Sequence, residues 1–385
     1  MEMLFGSLME LTAVDWLKMA VMWVIGGILI FLAIKKNMEP SLLLPMGFGA
    51  ILVNLPFSGA LDQVFNGIAQ EGPISVLFRA GIDNELFPLL LFIGIGAMID
   101  FGPLISNPKM FLLGAAAQFG IFFTFGLVLL FPEEIFSFRD AASISIIGAA
   151  DGPTSIFVAK FFDSKYIGSI VVAAYSYMAL VPIVQPPVIR LCTTKKERLI
   201  RMKYEPAAVS KTTKILFPII ITVIAGMIAP QSAALVGFLM FGNLLRECGV
   251  LKALSESAQH ELANIITILL GLTISAKMKA DDFLCVQTLL IIGLGLVAFI
   301  FDTVGGVFFC KFLNLFMKNK INPMVGAAGI SAFPMSARTI HKMGQQEDPQ
   351  NFLLMHAAAA NISGQIASVI AGGLMISLVS SIIGG

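Results

Sequence analysis

Long apolar runs alternate with short polar breaks along most of this chain. A membrane-spanning helix needs about 20 apolar residues in succession. Runs of that kind fall at Val14–Ile34, Met110–Phe131, Ile167–Gln185, Lys214–Ala229, Ala233–Leu245 and Phe352–Ile383. Shorter ones occur at Ser41–Pro56, Leu86–Ile99 and Leu262–Ile274. Phe283–Met317 exceeds one straight span, so a kink or division is expected near Asp302 and the Gly305-Gly306 pair. Two further runs, Ala141–Phe162 and Asn322–Ile340, are interrupted by glycine, proline and polar residues. They are expected as discontinuous helices or hairpins. The pattern predicts an all-α polytopic membrane protein of about 10–11 membrane elements.

Composition removes the soluble alternative. The chain is 57% hydrophobic and 13% charged, with mean hydropathy +0.89. Soluble domains carry about 25% charged and about 45–50% apolar residues. The net charge of +1 points to no class of partner. No basic face interleaved with aromatics supports nucleic-acid binding. Cys192, Cys248, Cys285 and Cys310 are scattered without a CxxC, and His260, His341 and His356 form no ligand cluster, so neither disulfides nor a transition-metal site is expected. The first 18 residues lack a basic n-region and a clear cleavage site. They read as a short amphipathic lead into the first span.

Charge placement orients the spans. Between Gln185 and Lys214 stand Arg190, Lys195, Lys196, Arg198, Arg201, Lys203 and Lys211 against Glu197 and Glu205, which marks this segment as cytoplasmic. Lys35 and Lys36 place the end of the first span on the same side. Leu61–Glu85 is mixed and amphipathic, and is expected at the interface.

The chain also echoes itself. "ELFPLLLFIGIGAMIDF" from Glu85 matches "ELANIITILLGLTISAKM" from Glu261 in pattern, and each is followed by a long glycine-bearing span and then a "GAA" run, at Gly148 and at Gly326. Interrupted helices at corresponding positions of two halves mark transporter-like folds, with a site at the repeat interface. Inverted repeats are expected. The division is residues 1–84 as an N-terminal scaffold, 85–185 as a first core with its polar hairpin at 141–162, 186–260 as basic loop and scaffold helices, and 261–385 as a second core with its hairpin at 322–340.

The broken segments hold the candidate chemistry. In "IIGAADGPTSIF", Asp151 precedes Gly152 and Pro153, which break the helix and free backbone carbonyls. A carboxylate, freed carbonyls and the hydroxyls of Thr154 and Ser155 form an all-oxygen environment of the kind hard cations take. One acid among neutral oxygens suits Na+ or H+. The plainer alternative is an N-cap aspartate at a buried helix start. In "INPMVGAAGISAFPMSARTIHK", Asn322, Ser331 and Ser336 supply oxygens, and Gly326 and Gly329 allow close backbone approach. Arg338 repels a cation and suits a carboxylate or carbamate held bidentately; otherwise it snorkels to the interface. Tyr177 is the second of two tyrosines in an apolar span, facing either the site or a packed surface. Asp302 is another acid in an apolar run, either an ion or proton site or one half of an interface pair.

"GAADGPTSI", "AAYSYMALVPIVQPP", "FGNLLRECGV", "KNKINPMVGAAGISAFPMSAR" and "NFLLMHAAAANISGQI" resemble the β-subunit of the biotin-dependent, sodium-translocating decarboxylases of oxaloacetate, methylmalonyl-CoA and glutaconyl-CoA. The similarity spans nearly the whole chain from about the third span onward. The usual "GGADGPT" is "GAADGPT" here, with Ala149 in place of a glycine.

The resemblance implies a subunit that decarboxylates carboxybiotin, delivered on a partner's biotin, and couples this to Na+ export in a bacterial cytoplasmic (inner) membrane. It implies Asp151 as an ion-site residue, catalytic roles for Asp151, Tyr177 (proton relay) and Arg338 (carboxybiotin binding), and Na+ ligation by Asp151, with nearby backbone oxygens, at one site and by Asn322 and Ser331, with Gly326 of the same hairpin, at a second. It also implies an elevator-type fold, a β homotrimer, and as partners a carboxyltransferase α-subunit, a biotin carrier and a small membrane γ/δ-subunit. The short N-terminal region resembles the acyl-CoA members more than the oxaloacetate ones. Two other readings fit the same composition, a Na+-coupled carrier of an organic anion and a plain membrane anchor for an enzyme complex.

Overall fold

The structure, a computed structural model, describes residues 11–36, 39–65, 68–203 and 209–383. Residues 1–10 of the expected lead, and Glu205 of the basic segment, lie outside the described residues. Among the described residues, six helices are long and apolar enough to cross a membrane.

The first half comprises α1 (Ala13–Lys36), α2 (Pro40–Val53), α3 (Leu86–Met98), α4 (Met110–Ala117), α5 (Phe119–Val128), α6 (Phe138–Ser145), α7 (Gly152–Phe161) and α8 (Ile167–Cys192). The second comprises α9 (Lys211–Ile228), α10 (Ala233–Glu247), α11 (Ala263–Ile274), α12 (Val286–Phe316), α13 (Met324–Ala327), α14 (Met335–Glu347) and α15 (Leu354–Ile383). The expected hairpins are there as broken helices. Helix α6 passes through the 3-10 turn Ile146–Ala149 into α7, and α13 is separated from α14 by an irregular stretch.

The fold is all-α as expected, with one short addition: Gln63–Phe65 pairs antiparallel with Ile68–Gln70. Asp62 anchors this turn, accepting from Gly72 N at 2.8 Å and from Arg79 at 2.6 Å. The amphipathic helix Pro73–Gly81 follows and buries Ile74 and Phe78 one turn apart. The expected span at Met110–Phe131 is present over Met110–Val128, with a turn at Gln118, whose amide bonds Ala115 O and whose side chain bonds Gly114 O. Conversely, α12 does not divide. It runs unbroken through Asp302, Gly305 and Gly306 for 31 residues, about 46 Å. Its glycines serve contact instead of bending. A Cβ on Gly306 would stand 2.2 Å from Gly326 O, so the backbones of α12 and α13 touch there.

The two halves interleave. Helix α2 packs on α11 and α3 on α10, while α8 packs on α12 and α15 on α4. The central helices are the most enclosed, with 67% of the α8 window buried, against 11% for α9 at the periphery.

The hairpins approach from opposite ends. A crevice of about 960 Å³ at one end is lined by Asp15, Asn54, Lys160, Ser164, Ile167 and Asp281. It therefore gathers the start of α1, the end of α2 and the base of the first hairpin. Helix α8 then runs about 39 Å to the basic segment. There Arg198 Nε meets Glu347 Oε1 at 2.8 Å and Arg201 Nε meets Asp348 Oδ2 at 2.6 Å, fixing the base of the second hairpin.

Candidate functional site

The broken stretches meet in the interior. Ser331 Oγ donates to the Ala149 carbonyl at 2.5 Å, and Ser331 N lies 3.4 Å from the same oxygen. The helical ladder leaves that carbonyl free because the 3-10 turn ends there and Ala150 turns left-handed at φ 51°. A residue with a Cβ holds that conformation at a cost of about 1–2 kcal/mol, so the surroundings must enforce it.

Asp151 follows in extended conformation as the N-cap of α7, and its side chain is 3% exposed. Its Oδ2 accepts from Thr154 Oγ1 at 2.6 Å and from Ser368 Oγ at 3.0 Å, and its carbonyl accepts from Ser155 Oγ at 2.8 Å. No lysine or arginine forms an ion pair with it among the described residues. Gly152 has a steric reason, since a Cβ there would stand 1.9 Å from the ring of Tyr175. Only glycine lets that ring lie against the break.

The opposing wall is α15. Asn361 Nδ2 donates to Ile330 O at 2.5 Å, and its Oδ1 is buried without a partner among the described residues. Gly364 brings the α15 backbone against Gly329 O, where a Cβ would stand 2.1 Å away. The structure thus gathers on the Asp151 carboxylate the hydroxyls of Thr154 and Ser368, with the Ala149 carbonyl and Ser331 two residues before it. This donor set fits a dehydrated monovalent cation, which needs oxygens and one negative charge.

In the second hairpin Ser336 Oγ donates to Gln185 Oε1 of α8 at 3.0 Å, and Gln185 Nε2 donates to Ala327 O at 2.7 Å.

The expected site residues do not all converge. Asp151 and Ser331 are joined through Ala149. Asn322 is fully buried at the basic end, donating to Arg198 O at 2.8 Å and Ile200 O at 2.9 Å while its Oδ1 accepts from Met324 N at 3.1 Å. Gly326 lies against Gly306. The phenol of Tyr177 donates to Ile292 O, and its ring lies beside Gly295 and parallel to Phe299. Arg338 is exposed on α14 and forms no ion pair among the described residues. Ser368 and Asn361 were not singled out from the sequence. Their signal was present, since Asn361, Gln365 and Ser368 recur at spacings of four and three and so share one face of an apolar helix.

The Na+-transporting oxaloacetate decarboxylase beta subunit family matches residues 18–379. Methylmalonyl-CoA decarboxylase subunit beta of Propionigenium modestum is 47% identical over 374 residues, covering 93% of this chain and 94% of its own length. Glutaconyl-CoA decarboxylase subunit beta of Acidaminococcus fermentans is 48% identical over 361 residues, covering 94% and 93%. The oxaloacetate decarboxylase beta chain of Klebsiella pneumoniae is 43% identical over 411 residues, covering 94% and 95%. With matches of this length lying over both broken hairpins, the chain belongs to the family of Na+-transporting oxaloacetate decarboxylase beta subunits.

Proposed function

We propose that this chain decarboxylates carboxybiotin and couples that reaction to Na+ export, with Asp151 as the Na+-binding carboxylate. The observation that carries the reading is the buried Asp151, which has hydroxyl partners from two helices and no cationic one. A membrane-buried carboxylate costs about 2.5–3.5 kcal/mol on insertion scales unless a cation or proton joins it. The hydroxyls of Thr154 and Ser368 supply neutral oxygens on it, and the Ala149 carbonyl lies two residues before it. Ser331 controls access to that carbonyl. In this scheme Asn322 and Gly326 act on the second hairpin by position: Asn322 ties its base to the basic loop, and Gly326 lets it slide close along α12.

Arg338 receives the carboxylate of carboxybiotin. Nine residues of α14 separate it from Glu347 at the basic end, about 14 Å of rise. An exposed guanidinium at that depth suits an aqueous access path open to the cytoplasm. Decarboxylation breaks the N–CO₂ bond, releases CO₂ and leaves a biotin nitrogen that takes up a proton. Tyr177 is assigned to relay it. Exporting one charge against 100 mV costs about 2.3 kcal/mol, so transport needs that exergonic reaction and strict alternation of access.

Helix connectivity supports inverted repeats. Five crossings, α1, α2, α3, α4 with α5, and α8, precede α9, since the first hairpin returns to its own side; an odd number reverses the second half. We place the scaffold at α1–α3 and α9–α11 and the moving core at the hairpins with α4, α5, α8, α12 and α15, which shifts the division from 85 and 261 to just after Met98 and Ile274. Elevator-like motion, a homotrimer, and the carboxyltransferase, biotin-carrier and small membrane partners belong to this proposal, as does the bacterial inner membrane.

The test is carboxybiotin-driven Na+ uptake by the complex reconstituted into vesicles. Asp151→Asn is expected to abolish it; uptake at the wild-type level would overturn the assignment. Solute uptake by the chain alone would favour an organic-anion carrier.

A further inference from the structure

Asp302 lies midway along α12 and is 1% exposed. Neither carboxyl oxygen has a well-formed hydrogen bond among the described residues. A Cβ on Gly120 would stand 2.3 Å from Asp302 Oδ1, and one on Gly148 would stand 3.0 Å from Oδ2. The carboxyl is therefore wedged between the first turn of α5 and the 3-10 turn that leads to the Asp151 break. Its nearest donors are the backbone amides of Gly120 and Ile121. They belong to the amino end of α5, where the Ile121 amide bonds Gln118 O at 3.1 Å and the Gly120 amide stands in the first turn, whose N–H groups lack partners within the helix.

Among the described residues no cation pairs with this acid. The titratable groups on the surrounding elements are Tyr175, Tyr177, Arg190 and Cys192 on α8, Asp140 and the exposed Arg139 on α6, Cys310 and Lys311 on α12 itself, and Asp151 beyond the turn. Lys311 lies nine positions along α12 and pairs with Glu197. The Tyr177 phenol is committed to Ile292 O, and Asp140 accepts from Ser137 and from Ser164. Asp302 forms no ion pair with a lysine or arginine among the described residues. Buried acids of this kind in membrane proteins mark proton or ion pathways. Close packing favours a proton over Na+, because Gly120 and Gly148 bring backbone directly against the two carboxyl oxygens and the Gly120 amide faces one of them.

We propose that Asp302 is a proton-binding site of the core, separate from the Asp151 site, whose occupancy governs the seating of the first break on α12. The neutral acid packs beneath Gly148 without a counter-charge. The ionised acid, aimed at the α5 amides, disfavours burial under the break and releases it. The site can hold both forms, as a proton exchanging with water during a transport cycle requires. The proposal deepens the ion-pump reading and rests on the first break moving in that cycle.

The test uses the whole complex in vesicles, with wild type, Asp302→Asn, Asp302→Glu and Asp151→Asn compared. Infrared spectroscopy reads the carbonyl stretch of a protonated buried carboxyl. That band is expected in the wild type and in Asp151→Asn, and is expected to be lost in Asp302→Asn. The pH dependence of Na+ uptake is expected to flatten in Asp302→Asn and to return in Asp302→Glu. Survival of the whole band in Asp302→Asn overturns the proposal. So does loss of the band with an unchanged pH profile, which would make Asp302 a permanently neutral packing group. If Asp151→Asn transports Na+ normally, the Asp151 assignment fails while the Asp302 band still reports on its own site.

Discussion

Ser331 donates to the carbonyl of Ala149 across 182 positions of sequence, joining the two broken hairpins at their inner ends. Each hairpin leaves backbone groups without a helical partner, and this bond settles one of them with a hydroxyl from the other half. Ser331→Ala removes the hydroxyl donor and leaves the buried carbonyl with only the long 3.4 Å contact from the backbone amide of residue 331, at about 1–3 kcal/mol. The expected outcome is a folded protein with a raised half-saturating Na+ concentration, measured as Na+-dependent decarboxylation. An unchanged value would show that the bond only packs the hairpins.

The hydroxyls on Asp151 orient the carboxylate. Thr154→Val keeps the shape and removes the 2.6 Å bond to Oδ2. Hydrogen bonds to charged groups contribute about 1.5–3 kcal/mol, on the order of ten- to hundredfold in affinity. Na+ binding, read by Na+-dependent thermal stabilisation, is expected to weaken by that range. Ser368→Ala acts on the same oxygen from α15 at 3.0 Å and is expected to weaken binding less.

Gly152 admits no side chain. Gly152→Ala places a methyl 1.9 Å from the Tyr175 ring, so either the ring or the break must move. Overpacking of this kind costs about 1–3 kcal/mol. The expected result is a lower melting temperature and loss of Na+ response. A second change, Tyr175→Leu, should recover part of the stability, and no recovery would place the fault in the backbone.

At the basic end, Arg201 beside Asp348 holds its carboxyl below the usual carboxylate range through a 2.6 Å charged hydrogen bond. A depressed carboxylate pKa means the pair contributes above the unfolded-state value and is lost as pH falls through the folded one. Protease cleavage near residues 201–209 should therefore rise on acidification below the usual carboxylate range. Asp348→Asn should show that raised cleavage at neutral pH. Equal cleavage of the two proteins at neutral pH would show that the pair does not dock the loop. The pair is surface-screened, so its effect should shrink with added salt.

The sequence by itself determined the apolar spans, the two broken segments and the first acid. These are local matters. A run of apolar residues long enough to cross a bilayer, or a glycine-proline pair after an aspartate, constrains its own backbone wherever it sits. The helical repeat of Asn361, Gln365 and Ser368 was equally local, but nothing in it said which neighbour that face would meet. Only the tertiary structure decided that α15 closes over Asp151, that Ser331 rather than Asn322 reaches the first break, and that Asn322 holds the basic loop. It also decided that α12 stays one unbroken helix through Asp302 and its glycine pair. Glycine permits a bend but does not require one, and close contact with Gly326 and Gly148 uses the same missing side chains to bring backbones together. Which carbonyl a buried hydroxyl reaches depends on how the two halves interleave, and that is set by packing between residues far apart in the chain.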